Sequence, residues 1–156
     1  SIFDASFKVG NFMRGLRDGL GTGFDSFDPP DDGGIAASET VLCGPEEGEW
    51  LVRGNRSLLL KGALSDICFS EFTVDGPLDG PGIHDHDVEV DTFYVLDGEL
   101  ELTVEDSVRA AAPGTLAAVP PGVLHTFAHR APGTVRFLNV HAPDGGFAAY
   151  LREISS

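Results

Sequence analysis

From Ile35 onward the chain is a series of short apolar runs, each cut off by Gly, Pro, Asn or Asp. That punctuation constrains the fold more than any other feature, because it leaves no room for long helices. Glu49–Val52, Ser57–Leu64 and Ile67–Val74 read as strands separated by Gly54-Asn55 and Ser65-Asp66. Thr92–Leu96 and Glu99–Glu105 flank Asp97-Gly98, a two-residue hairpin signal. Within Glu99–Glu105 apolar and polar residues alternate strictly, so one face should be buried and the other wet. Leu116–Val119 and Thr134–His141 are further strands, and Ala112-Pro113-Gly114 and Pro120-Pro121-Gly122 are turns. Phe147–Ile154 is helix-like, with Phe147, Tyr150, Leu151 and Ile154 on one side. Gly76–Gly82 reads as a loop. With 20 Gly and 10 Pro in 156 residues, the expectation is an all-β fold, an antiparallel barrel or jelly roll, closed by a short C-terminal helix.

Residues 1–34 differ from the rest. Phe3, Phe7, Phe12, Phe24 and Phe27 fall here, some at helical spacing, but Gly10, Gly15 and Gly19 weaken a helix by about 1 kcal/mol each. The segment reads as a Phe/Gly-rich arm and linker that needs a surface to bury its rings, either its own barrel or a neighbouring subunit. Residues 35–156 then form the single barrel domain, a size that supports one core. A lid over the barrel mouth or a docking peptide is the alternative role for the arm.

The net charge of −15, from 25 acids and 10 bases, argues against a nucleic-acid partner. No apolar run is long enough to span a bilayer, and no charged-then-apolar leader follows Ser1, so the expected location is the cytoplasm. Cys43 and Cys68 have no metal-type spacing and read as buried thiols.

The chemistry concentrates in Pro81–Gly98, PGIHDHDVEVDTFYVLDG. On an extended strand His84 and His86 point the same way, with Asp91 five residues on. Two imidazoles and a carboxylate suit a divalent first-row transition metal. An isolated His-x-His fits a pair of surface histidines better, but a second stretch, Gly114–His129 (GTLAAVPPGVLHTFAH), shifts the balance. Together the two resemble the paired signatures of the cupin superfamily. His84, His86, Asp91 and Gly98 match the first, and Gly114, Pro120, Gly122 and His125 the second. Asp91 stands where Glu is usual and His129 where Asn is usual. Leu78 takes the place of an opening Gly, whose turn falls to Gly80 and Gly82.

The resemblance, which covers roughly residues 40–150, implies a double-stranded jelly roll with His125 opposite the His-x-His strand. It implies a metal bound by His84, His86, Asp91 and His125: one divalent ion, Fe, Mn, Ni, Cu or Zn. Such a set leaves two octahedral positions open. Period-two placement puts Phe93 and Val95 on Asp91's face, and Phe127 and His129 on His125's. For His129 two readings stay open: a general base or substrate anchor beside the metal, or a rim histidine in the place of the usual Asn. His141 is given little functional weight, and Glu71 and Glu101 are expected at the surface.

The small single-domain form resembles the quercetin-dioxygenase-like group. That implies an oxygenase acting on a small aromatic or enol-bearing substrate. A metal-dependent isomerase, cyclase or lyase is the first alternative, and a non-catalytic binding or sensing module the second. The expected partners are a small-molecule substrate and a second copy of the chain, as a homodimer, with no nucleic acid and no membrane.

Overall fold

The computed structural model describes residues 41–64 and 66–155. The arm and linker of residues 1–34 lie outside the described residues. Among the described residues ten strands and one helix follow in chain order: β1 (Glu49–Arg53), β2 (Arg56–Leu64), β3 (Ile67–Asp75), β4 (Leu78–Asp79), β5 (Val90–Asp97), β6 (Leu100–Val104), β7 (Ser107–Ala111), β8 (Leu116–Val119), β9 (His125–His129), β10 (Thr134–Ala142) and α1 (Phe147–Ser155).

The strands form two sheets, one in the order β1-β2-β3-β10-β5-β8, the other β4-β9-β6-β7. Every pairing is antiparallel. The fold is therefore the all-β, two-sheet jelly roll that the turn punctuation predicts, with the helix at its C-terminal end.

Alternation explains the core. β3 buries every second residue, Cys68, Ser70, Phe72 and Val74, and β6 buries Leu100 and Leu102. Phe72, Phe93, Phe127 and Phe137 meet between the sheets; Phe72 and Phe137 stack at 4.9 Å, and Phe127 lies edge-on to Phe137 at 5.3 Å. Burying each such ring contributes about 2 kcal/mol relative to leaving it in water. Both cysteines are free; Cys68 is fully buried, which pushes its thiol up to about 11.

Two local expectations are corrected. Asp97-Gly98 does not close a hairpin: β5 pairs with β10 and β8, whereas β6 pairs with β7 and β9. The turn instead carries the chain from one sheet to the other and runs hard against β10. A Cβ on Gly98 would lie 2.3 Å from the Thr134 carbonyl oxygen, and its φ is +72°. A glycine demanded by close approach looks the same in sequence as one demanded by a hairpin turn. Gly76–Gly82, read as a loop, contains β4, two residues that pair with His129 and Ala128 of β9. Gly80 is the glycine that this approach requires, because a Cβ there would fall 1.9 Å from the Phe127 carbonyl oxygen. Nothing lies near the corresponding position of Gly82.

Candidate metal centre

His84 precedes β5 and forms an isolated bridge with His125, the first residue of β9. The His84 N–H donates to the His125 carbonyl at 3.1 Å, and the His125 N–H donates back at 2.8 Å. The Gly122 N–H donates to the His86 carbonyl at 2.9 Å, so the turn before β9 also grips the His-x-His segment. Asp91 enters from β5, whose neighbours β10 and β8 hold it in register with His141 and Val119. Three separated pieces of chain thus converge at one point.

His84, His86, Asp91 and His125 each place one ligand-type atom within 4.8 Å of all the others. The imidazoles form a triangle with centroid separations of 4.5, 5.1 and 5.2 Å. Asp91 Oδ2 lies 3.0 Å from His125 Nε2 and 3.5 Å from His86 Nε2. The other nitrogen of each ring has its own acceptor. His84 Nδ1 faces the Gly82 carbonyl at 2.8 Å, His125 Nδ1 faces the Val123 carbonyl at 2.8 Å, and His86 Nδ1 lies 3.2 Å from Glu89 Oε2. Holding Nδ1–H on an acceptor fixes the tautomer and turns a bare Nε2 inward, the arrangement a metal-ligating histidine needs.

Burial alone would push the Asp91 carboxyl up. Polar contacts from His125, His141 and Asn139 outweigh it and hold the group well below the usual carboxylate range. Burial lowers His86, helped by the nearby His141 ring, whereas for His125 burial is outweighed by the combined pull of Asp91, the Val123 carbonyl and Asp85, which raises it. Asn139 Nδ2 donates to Asp91 Oδ1 at 2.5 Å, so the carboxylate points Oδ2 at the histidines.

The donor set fits a divalent cation. His86 Nε2 and His141 Nε2 are buried without a hydrogen-bond partner among the described residues, and both face Asp91. A buried polar atom left this way costs about 1–3 kcal/mol unless a ligand satisfies it.

His129 is not brought to this cluster. It ends β9 four residues beyond His125, roughly 13 Å along a strand. It is buried there, with Nδ1 2.9 Å from the Glu99 carbonyl and Nε2 2.8 Å from the Gly133 carbonyl. Both nitrogens are occupied by backbone, so the base-or-anchor reading is set aside and the ring closes the far end of the sheet.

His141, given little weight from sequence, belongs to the site. Its Nε2 lies 3.3 Å from Asp91 Oδ1, its Nδ1 lies 3.4 Å from Glu89 Oε2, and its ring stacks on Phe147 at 3.5 Å. Glu89 was missed altogether. It is buried, serves both His86 and His141, and accepts from the Gly145 N–H at 2.6 Å beside the start of α1. Its acidic neighbours Asp85, Asp87 and Asp91 gave no reason to single it out; spacing of three from His86 was the available signal.

A cavity of about 1060 Å³ opens from this cluster. Phe72, Phe127 and Leu78 form an apolar side, α1 contributes Phe147 and Tyr150, and the β1–β2 turn contributes Arg53 and Arg56. Phe127 is on the cavity wall, on the same face of β9 as His125; Phe93 is in the core, and Val95 is buried as well.

A two-sheet antiparallel barrel with a His/Asp cluster at the mouth of a cavity defines a class of small β-barrel proteins able to hold a metal ion. The family model for the cupin domain matches residues 72–141, the segment that contains all four cluster residues. Residues 72–141 thus form a cupin domain. Among solved structures it is similar to KdgF from Halomonas sp. (20% identity, 65% of this chain and 93% of that one, TM-score 0.58). It is also similar to an RmlC-like cupin from Shewanella frigidimarina (20%, 68% and 93%, 0.59). A predicted oxalate decarboxylase from Thermotoga maritima aligns too (17%, 58% and 83%, 0.53). At these identities the likeness is one of fold. No curated protein sequence matches the chain. Among the described residues no helix is long and apolar enough to cross a membrane.

Proposed function

We propose that the chain is a metal-dependent cupin enzyme, a dioxygenase of small aromatic or enol-bearing compounds. His84, His86 and His125 would hold the ion through Nε2 and Asp91 through Oδ2. The observation that carries this reading is the open side of the cluster, which faces a cavity walled by Phe72, Phe127, Phe147 and Tyr150. A bound redox-active ion would bring dioxygen and substrate oxygens together. Asn139 fixes the carboxylate, Glu89 orients His86, and the phenylalanines exclude water and give a planar substrate a surface to lie on. The partners proposed with this function are a small-molecule substrate and a second copy of the chain, joined through the Phe-rich arm.

A non-redox isomerase, cyclase or lyase is a second reading, favoured by His141. His141 is among the residues that line the cavity and its Nδ1 rests on Glu89, an arrangement suited to general-base work. Metal-loaded protein screened against small enols and aromatic diols, with and without oxygen, separates the two. Oxygen uptake matching substrate loss supports the dioxygenase. Turnover undiminished under nitrogen replaces it with the second reading, and ligand binding without turnover in either atmosphere makes the protein a binding module.

A further inference from the structure

Two arginines also line the cavity. Arg53 and Arg56 are paired across the β1–β2 turn, and both line the cavity that contains His86 and Asp91. Like charges directly opposite each other on neighbouring strands repel. The turn cannot relax by splaying, because the Asn55 side chain donates to the carbonyls of Asp75 and Pro77, each at 3.0 Å, and the Asp75 N–H donates back to the Asn55 carbonyl at 2.9 Å.

Counterions are abundant in this chain, with 25 acids to 10 bases, and other arginines take them. Arg130 pairs with Asp79 and Glu101, Arg136 with Glu71, and Arg152 with Glu49. Arg53 is exposed and donates to the Ile154 carbonyl at 2.7 Å. Arg109 has no partner among the described residues but lies exposed on β7. Arg56 is different: half-buried, on the cavity wall, and without a carboxylate or carbonyl partner among the described residues. Desolvation and Arg53 both work against its charge and outweigh the opposing influence of Tyr150.

We propose that Arg56, with Arg53 beside it, is an oxyanion subsite that takes the carboxylate or phosphoryl group of a small organic acid whose other end reaches the histidine cluster. The planar guanidinium offers paired N–H donors that match either group. The inference rests on the proposed metal-centre reading only for where the reacting end lies; the anion subsite itself stands on the arginines.

Calorimetric titration of metal-loaded protein with benzoate, inorganic phosphate and benzyl alcohol tests it. The wild type should bind one of the two anions at least about tenfold more tightly than benzyl alcohol, benzoate marking a carboxylate site and phosphate a phosphoryl site. In Arg56→Gln that preference should vanish while metal content and melting temperature stay at wild-type values; Arg56→Lys should keep part of it. In His86→Ala, tested without metal, the Arg56-dependent preference should persist. Anion binding no tighter than benzyl alcohol, no binding of any probe, or a preference that survives Arg56→Gln overturns the proposal. A preference lost in His86→Ala but kept in Arg56→Gln places the anion on the metal, overturning the subsite and leaving the metal centre intact. Metal absent from wild type with the preference still dependent on Arg56 does the reverse.

Discussion

At the residue scale, Asp91 and His129 show how two equally buried polar side chains are tied to different work by their contacts. Asp91 is buried yet stays ionised, because His125 and Asn139 each supply a partner that a lone buried carboxylate would lack. His129 is just as buried, but its partners are backbone carbonyls on two segments that β9 must hold. Removing it should therefore damage folding without touching metal. His129→Ala is expected to lose about 2–4 kcal/mol in urea unfolding and to retain the wild-type metal stoichiometry. Metal loss at preserved stability would return His129 to the site.

At the element scale, the strands that carry strong alternation and clear turn residues were legible in the sequence, among them β3, β6 and β10, and so was the amphipathic helix α1. β4 was not, because two residues carry no periodicity and exist only through pairing with β9. The sheet change at Asp97-Gly98 was hidden for a related reason: a turn's residues report its local dihedrals, whereas the partner of the next strand is decided by packing. The grouping of His84 and His86 was visible as spacing, and Asp91 and His125 through the joint signatures. Glu89, Asn139 and His141 were not, since the last two arrive from β10, about fifty residues after the first histidine of the cluster, by strand register alone. Gly98 makes the packing argument testable. Gly98→Ala adds a Cβ 2.3 Å from the Thr134 carbonyl oxygen at a φ of +72°, and should cost on the order of 2 kcal/mol or more in chemical denaturation. A change within about 0.5 kcal/mol would mean that the turn is free to move away from β10.

At the scale of the whole molecule, the chain carries a large negative charge yet lines one cavity with two arginines as well as with residues of the histidine cluster. The two sheets supply rigid walls, and α1 joins the cluster through Phe147 on His141 and through the Gly145 contact to Glu89. Asp144 caps that helix, accepting from the Gly146 and Phe147 N–H groups at 3.0 and 2.9 Å, so the wall carrying Phe147 and Tyr150 is fixed at its start. This division of labour depends on an ion at the cluster. Its most direct test is elemental analysis of the untagged wild-type protein beside His86→Ala, both after reconstitution with divalent transition metals. We expect about one equivalent of iron, manganese, nickel, copper or zinc in the wild type and most of it lost in the folded variant. A wild type that takes up no metal, or a variant that keeps it all, would contradict the account.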